Sequence, residues 1–312
     1  MLKNSPTHAK QHYRAALALR WLVFMTITLS SSLFAQSSNL SDRTDIKFWI
    51  GGMSPALREY QSDLIISVLD KTLSDYPPYS INFNRRIMSA QRSKLETERG
   101  TNIHAHFSTG WVGSFVNQEN VFLLDYPYLK ERLGLRKCIA LKEFLPRFGK
   151  VRHIDDFKKL RIGQQRGWSD SKVYSHHNTT VIESVDYSSL FDMLEHDRYD
   201  CFPLSVLEIE KAMEEQLGKY PNLVIVPDLY IFYPIPLYLS VSKNQPLLAK
   251  RLTAGSERIL ADGSLNTLFD RHFKYSDNAL NQASSRIFIL DNPLISREQN
   301  QAVITRFKSN LK

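Results

Sequence analysis

The sequence contains only two cysteines, Cys138 and Cys201, among its 312 residues. Two cysteines are too few for a small scaffold held together mainly by disulfides. An oxidising compartment would permit a disulfide between them, whereas two buried apolar thiols are the alternative, and the sequence leaves both open. Neither cysteine lies in or directly after the apolar stretch near the N-terminus, which argues against an anchor formed by a lipidated N-terminal cysteine.

Several catalytic signatures are also missing. The chain has no Gly-x-Ser-x-Gly elbow, no His-Glu-x-x-His helix and no phosphate loop of the Walker type. His104 and His106 would share one face of a strand, but no third ligand follows them, so a structural or surface role is favoured over a metal site. His176 and His177 are adjacent on a predicted helix and point apart. The sequence therefore predicts no enzyme, no cofactor and no metal.

The first 20 residues contain four Lys or Arg and no acid, and residues 21–35 form an apolar run that ends in small residues. This is the pattern of a secretory signal peptide over residues 1–35, with cleavage after Ala35 and a polar lead-in over residues 36–44. An uncleaved N-terminal anchor is the alternative. After cleavage, the mature chain would be located in the periplasm.

The chain has 40 Lys and Arg against 32 Asp and Glu, and four of the cations belong to the predicted signal peptide. The mature chain would carry a net charge of about +4, without a Lys/Arg run or an interleaved aromatic patch. Nucleic acid is therefore not predicted as a partner. The mild basicity favours anionic ligands or serves solubility.

Periodicity predicts an α/β protein. Alternating strands at 45–50, 79–83 and 102–107 are separated by helical patterns, an order that predicts a sheet covered by helices. A second series of the same kind begins at residue 154 and continues to residue 226. The last third has too few elements for a further domain, so we expect it to return to the first unit and complete it.

The segment 161–177 is the strongest candidate for a site. A short apolar strand runs into a glycine-centred turn and then into a helix that starts at residue 169 or 170, and ligands bind at such places in open α/β sheets. Backbone N–H groups, a guanidinium and an indole would meet there. The alternative is a structural turn around a core tryptophan. The predicted ligand-binding residues of this turn are Gln165, Arg166, Trp168 and Ser169.

Four segments carry a resemblance to a known family: GQQRGW at 163–168, SSLFDMLEHDRYDCFP at 188–203, YPIPLYLSVSKNQPLL at 233–248 and RILADGSLNTLFDRHF at 258–273. The chain resembles the extracellular solute-binding proteins of family 3, the polar amino-acid class of type II periplasmic binding proteins. The resemblance is good over residues 150–275 and architectural over residues 45–149.

The resemblance implies two lobes, each a mostly parallel sheet with helices on both faces, joined by two crossing strands near 130–141 and 230–241. Lobe 1 would comprise residues 45–135 and 236–312, and lobe 2 would comprise residues 136–235. It also implies a monomer that captures a small polar solute, amino-acid-like or a small carboxylate, for an ABC transporter or a sensor in the inner membrane. A dehydratase or hydrolase on the same scaffold, and a sensory partner of a membrane receptor, are the alternatives.

The resemblance also concerns individual residues. Asp200 matches the family carboxylate that receives an amino group, and Thr109 matches a hydroxyl of the first lobe. The family arginine that grips a carboxylate is missing from residues 112–116, and Trp168 stands where the family has a hydroxyl. Arg166 or Arg132 would have to replace the missing cation. Two further residues, at strand ends of the first lobe, would line the cleft unless they belong to the core: Trp49 and Trp111.

Overall fold

The computed structural model describes residues 43–109, 119–274, 285–309 and 311. The predicted signal peptide with Ala35 and the predicted site residue Trp111 lie outside these ranges. Among the described residues, no helix combines the length and the apolar character needed to cross a membrane.

The described strands and helices alternate over most of the chain. The strands are β1 (Thr44–Trp49), β2 (Tyr79–Asn84), β3 (Ala105–Thr109), β4 (Val121–Leu124), β5 (Leu135–Leu141), β6 (Arg161–Gln165), β7 (Thr180–Ser184), β8 (Phe202–Ser205), β9 (Leu223–Phe232), β10 (Leu237–Ser242) and β11 (Arg286–Ile289). The α-helices are α1 (Pro55–Asp70), α2 (Ala90–Arg99), α3 (Leu145–Phe148), α4 (Ile154–Phe157), α5 (Asp170–His176), α6 (Tyr187–Glu195), α7 (Ile209–Gln216), α8 (Pro246–Ala261), α9 (Ser264–Phe273) and α10 (Arg297–Ser309).

The described residues divide into two compact units. The smaller unit contains residues 43–46 and 73–81, where Thr44 N donates to Pro78 O at 2.9 Å and Arg43 Nε donates to Tyr79 O at 3.1 Å. The larger unit contains residues 47–72 and the described residues from 82 onward, which include strands β3 to β11 and the helices α1 to α10.

The first sheet has the strand order β2-β1-β3-β10-β4. Strand β3 runs parallel to β1 but antiparallel to β10, which in turn is antiparallel to β4. Helix α1 packs against α8 and α9, and its apolar residues recur at helical spacing, so that Leu57, Leu64 and Val68 are buried. Ser54 caps the helix and Pro55 occupies its first turn, as the sequence predicts.

The second sheet has the order β11-β9-β5-β8, and the parallel pair β6-β7 joins its edge through a bridge between Ile162 and Cys201. Strand β5 is antiparallel to both β8 and β9. The expected parallel pairing therefore holds for β1 with β3 and β6 with β7, while the sheets as a whole are mixed. The antiparallel pairs all involve β5 or β10, the strands that follow the two segments crossing between the lobes.

Two segments cross between the sheets, at 125–134 from β4 to β5 and at 233–236 from β9 to β10. They lie side by side, since Tyr233 N donates to Gly134 O at 3.3 Å. A Cβ atom at Gly134 would lie 2.0 Å from Tyr233 O, so only glycine allows this approach. The expected two-lobed fold with two crossings is confirmed.

Strand β11 is placed differently from the expectation that residues 236–312 belong to the first lobe. It pairs in parallel with β9 of the second sheet, and Phe307 of α10 stacks on Phe232 with ring centroids 3.7 Å apart. The segment 285–309 therefore extends the second lobe. An edge strand with unpaired backbone groups accepts such a partner, and local sequence patterns do not specify which edge is extended.

Cys138 and Cys201 form a disulfide with a Cα–Cα distance of 5.2 Å. It ties β5 to the residue immediately before β8, and both side chains are fully buried. The alternative of two free thiols is thereby removed. The apolar core of the second lobe surrounds this region, with Leu190, Phe191 and Phe202 among its members.

Candidate functional site

A cleft pocket of about 540 Å³ opens where strand ends of the two sheets meet. Its lining comes from the β1–α1 turn, the end of β3, the crossing segments, the β6–α5 turn and helix α7, all within the larger unit. Its polar and aromatic lining residues include Ser54, Thr109, Arg136, Trp168, Asp170, Tyr187, Glu208, Lys211 and Glu215.

The first-lobe wall is the β1–α1 turn. A Cβ atom at Gly52 would lie 2.6 Å from the ring of Trp49, so the backbone passes directly over the indole. Ser54 ends the turn, and its Oγ accepts a hydrogen bond from Leu57 N at 3.5 Å. The N-terminus of α1 therefore faces the cleft.

The second-lobe wall is the β6–α5 turn. Gly167 has φ +87, a backbone conformation that favours glycine, and it brings Trp168 onto the surface of the second-lobe core. The indole of Trp168 stacks on Phe202 with centroids 6.3 Å apart and lies 6.1 Å from the ring of Tyr187. One edge of Trp168 thus belongs to the core while the residue also lines the cleft.

An arginine on β5 anchors the floor of the cleft. Arg136 donates from Nη2 to Asp170 Oδ1 at 2.7 Å and from Nε to the hydroxyl of Tyr233 at 2.9 Å, and that hydroxyl also donates to Asp170. Burial alone would lower the pKa of Arg136, but the negative charge near Tyr233 and Asp170 raises it. Arg136 is therefore held permanently charged at the bottom of the cleft.

Carboxylates dominate the charged lining. Among the described residues of the lining, Asp170, Glu208 and Glu215 face the pocket together with two cations, Arg136 and Lys211. Burial raises the pKa of Glu208, an effect that hydrogen bonding from Ser54 and the charge of Arg136 oppose. The ion pair with Asp170 partly neutralises the charge of Arg136. The other charged groups of the lining, Glu208, Glu215 and Lys211, include more carboxylates than cations, so this lining is complementary to a cationic group such as an amine.

The structure brings three of the predicted residues, Thr109, Trp168 and Ser169, into the cleft lining. Gln165 and Arg166 are not part of that lining. The side chain of Gln165 donates to Val185 O at 3.3 Å, and Arg166 is largely exposed with Glu183 at 4.0 Å. Both side chains therefore contact β7 or the residue that follows it, and not the cleft.

Asp200 lies in a buried ion-pair cluster and not in the cleft lining. Its side chain has no exposed surface, and it accepts hydrogen bonds from Arg147 Nη1 at 2.8 Å, from Arg161 Nη2 at 3.0 Å and from Arg161 N at 2.7 Å. Burial would raise the pKa of Asp200, yet the hydrogen bonds from Arg161 and the charge of Arg147 lower it. Its observed role is structural.

Trp49 is 7% exposed and donates from Nε1 to Arg86 O at 2.9 Å. It lines a smaller cavity of about 270 Å³, which we call the side chamber and which is bounded by Trp49, Gln61, Met88, Lys94, His106 and Thr109 together with the β1–α1 turn. Gly52, Met53 and Thr109 line both the side chamber and the cleft pocket.

Sequence reasoning missed Arg136, Asp170, Glu208 and the other cleft residues of α7. Arg136 lies on a segment predicted to cross between the lobes, and a cation on a crossing strand is a signal that sequence alone offers. Arg132, the cation considered instead, is buried with its guanidinium over the ring of Phe307 at 5.9 Å. Glu208 and Lys211 carried no signal, since charged residues at a helix start are normally solvated.

The two histidines of β3 and its approach have structural contacts. His106 Nδ1 is 2.8 Å from Thr97 Oγ1, and His104 Nδ1 accepts from Lys47 N at 3.3 Å. Within the described ranges, no group of three His, Cys, Asp or Glu side chains is arranged to hold a metal ion.

Comparison with protein-family models and with curated proteins gives no match. Solved structures do match. The chain is similar to a probable amino-acid ABC transporter extracellular-binding protein from Bacillus subtilis, with a TM-score of 0.54 and 14% identity over 74% of this chain and 98% of that one. It is similar to an arginine transport system periplasmic binding protein from Legionella pneumophila, with a TM-score of 0.52 and 12% identity over 74% of this chain and 100% of that one.

A third similar structure is an ancestral arginine-binding protein bound to glutamine, with a TM-score of 0.50 and 14% identity over 74% of this chain and 98% of that one. At such identities the likeness shows the fold. The chain thus has the two-lobed α/β fold of periplasmic-type binding proteins.

Proposed function

We propose that this chain is an exported solute-binding protein that closes its two lobes on a small polar solute and delivers it to an ABC transporter or a sensor in the inner membrane. It acts as a monomer in the periplasm after cleavage of residues 1–35 near Ala35. The similar structures from Bacillus and Legionella are transporter binding proteins, which supports this reading by analogy of fold.

One observation carries the proposal. The cleft pocket of about 540 Å³ has the size of a small-molecule site and draws its walls from both lobes. A solute bound there would contact Ser54 on one side and Trp168 on the other, so hinge closure would bury it from both sides. The aromatic rings of Trp168 and Tyr187 offer an apolar wall, and the acidic lining offers partners for an amine.

Charge narrows the class of solute. The carboxylate of an α-amino acid needs a cation as its partner. In the described cleft lining, Arg136 is the buried cation that could bind such a carboxylate. Its Nη2 and Nε already bond Asp170 and Tyr233. The lining therefore favours the amine of a ligand more strongly than its carboxylate, and we propose an amine-bearing solute.

A thermal-shift screen of amino acids, amines, small carboxylates and peptides tests the function. A ligand at about 100 times its dissociation constant should add about 2.7 kcal/mol to the free energy of unfolding. The ligand should be recovered chemically unchanged, as expected of a binding protein and not of a dehydratase or hydrolase. If no small solute raises the melting temperature, the proposal is refuted.

A tryptophan variant tests the cleft as the site. Replacing Trp168 with Ala should weaken the ligand found in the screen by about tenfold or more, because a stacking wall of the pocket is lost. The folded fraction, followed by circular dichroism, should stay high since Trp168 is only partly buried. Unchanged affinity in a folded Trp168→Ala protein would show that the indole serves only the core.

A further inference from the structure

The side chamber contains a buried hydrogen-bond donor without a partner. Gln61 on α1 is 2% exposed and lines the chamber, and its Nε2 atom has no hydrogen-bond partner among the described residues. An unpaired buried donor costs about 1–3 kcal/mol, which is why such groups usually have partners in native proteins. Gln61 therefore brings an unsatisfied donor to the wall of the side chamber.

Neighbouring polar groups of the same chamber are satisfied. Trp49 Nε1 donates to a backbone carbonyl at 2.9 Å, His106 Nδ1 lies 2.8 Å from Thr97 Oγ1, and Ser108 Oγ lies 2.5 Å from Ser240 Oγ. Within the described lining of the side chamber, the missing partner is thus confined to Gln61.

The chamber also differs from the cleft in charge. Lys94 is the charged residue in its described lining, no acid is part of that lining, and no ion pair within the described ranges engages Lys94. Burial lowers the pKa of His106 to about 4, so the imidazole is neutral near pH 7 and adds no positive charge. The chamber offers one cation and one free donor, whereas the cleft offers mostly carboxylates.

The two cavities adjoin. Gly52, Met53 and Thr109 contribute to the lining of both, so the cleft and the chamber lie on either side of the same few residues. A ligand that used both cavities would meet negative charge at one end and a donor with a positive charge at the other.

We propose that the side chamber is a second subsite for the same ligand, which binds the carboxylate end of an elongated solute whose amine end lies in the cleft. Gln61 Nε2 donates to that carboxylate and Lys94 provides the opposite charge, while Asp170 and Glu208 face the amine. This inference rests on the proposed solute-binding function and adds the arrangement of charges along the ligand.

Three matched series of compounds test it with the full chain: ω-amino acids of increasing chain length, the corresponding α,ω-diamines, and the corresponding α,ω-dicarboxylates. Calorimetry should show an ω-amino acid that binds about tenfold or more tightly than the diamine and the dicarboxylate of equal length, because only it satisfies both ends. Equal affinity for the diamine would overturn the carboxylate subsite.

The series also separates this inference from the function on which it rests. If an α-amino acid from the general screen binds while every ω-amino acid fails, the solute-binding function stands and the second subsite is refuted. If neither the screen nor the series yields a ligand, the function itself is refuted.

A pair of glutamine variants tests the donor. Gln61→Met should weaken the ω-amino acid by about tenfold while leaving the diamine unaffected, since a hydrogen bond to a charged acceptor is lost. Its melting temperature without ligand should be unchanged or higher, because the variant removes an unpaired buried amide. Lys94→Met should weaken the ω-amino acid and reduce the salt dependence of its binding.

Gln164→Met is the matched control. Gln164 is also fully buried with unpartnered amide atoms, but it is not part of the described lining of either cavity. It should change affinity by no more than about twofold. A Gln61→Met protein that is less stable but binds as before would show a structural role only, and one that is more stable but binds as before would show a water site only; either result overturns the inference.

Discussion

Asp170 and Asp200 are two aspartates of the second lobe that are both paired with arginine, yet only one of them faces the cleft. Asp170 shares Arg136 with Tyr233 at the floor of the pocket, with 16% of its side chain exposed. Asp200 has no exposed surface and receives Arg147 and Arg161. A carboxylate that accepts several hydrogen bonds and has no surface exposed to the cleft is a structural group. A carboxylate that is paired with a single cation and is partly exposed to the cleft can still bind a ligand.

The disulfide connects these two regions. Cys138 lies two residues after Arg136 on β5, and Cys201 directly follows Asp200. The bond therefore fixes the strand that carries the cleft arginine to the segment that carries the buried cluster. Its loss should disturb both regions at once, unlike a change at either aspartate.

The largest expected effect is on stability when the disulfide is removed. Closing a loop with a sequence separation of 63 residues should stabilise the folded chain by about 4 kcal/mol, through the lower entropy of the unfolded state. A double variant with Cys138→Ala and Cys201→Ala should lose a large part of this free energy in urea unfolding. A loss below about 1 kcal/mol would contradict this expectation.

The next effect concerns Asp200. Asp200→Asn should lower the free energy of unfolding by about 2–3 kcal/mol, because hydrogen bonds between a buried carboxylate and two guanidinium groups are weakened. Ligand affinity should change by no more than about twofold, as expected for a distant site. A strong loss of affinity in a stable Asp200→Asn protein would return this residue to the binding site, as the resemblance to the family implies.

Asp170→Asn is the matched variant for that experiment. It keeps an acceptor for Arg136 and Tyr233 but removes a negative charge from the cleft, so affinity for an amine-bearing ligand should fall by about tenfold. The two variants together should therefore show opposite patterns, with stability lost at one aspartate and affinity lost at the other. Identical patterns would remove the distinction between the two regions.

The smallest effect is a pH dependence. Because burial raises the pKa of Glu208, its proton returns as the pH falls toward 4.5, which favours the folded state and weakens binding of an amine. The pKa of Asp200 lies below 3.8, so its cluster stays charged in that range and loses its contribution only at lower pH. Affinity should fall on acidification in the parent protein and less in Glu208→Gln.

His106 also changes its protonation on acidification, and comparing Glu208→Gln with the parent protein controls for this effect. Its pKa is lowered from 6.5 to about 4, so stability is lost as the pH falls through this interval while the unfolded state takes up a proton. The loss is common to both proteins and cancels in the difference. An identical pH profile of affinity in both proteins would show that Glu208 does not face the ligand.

The part of the site that could be predicted from the sequence was the course of its backbone. Glycine in the turn at 163–168 and the helix start at residue 170 identify a strand-turn-helix unit without any tertiary information, and Trp168 follows from it. Strand alternation does not decide which of Gln165 and Arg166 faces the cleft, because β6 ends at Gln165 and the turn begins there. The pairing of the charged residues was not predictable, since Arg136 and Asp170 are 34 residues apart and meet only when β5 and α5 pack together.

The sequence by itself determined the α/β alternation and the capped helix α1 after Ser54, because these depend on local periodicity and on the order of elements, while the two chain crossings followed from the resemblance to a known family. The tertiary structure alone decided which aspartate faces the cleft, that the two cysteines are bonded, and that β11 extends the second sheet. Each of these depends on distances between segments far apart in the chain, and those distances are set by packing.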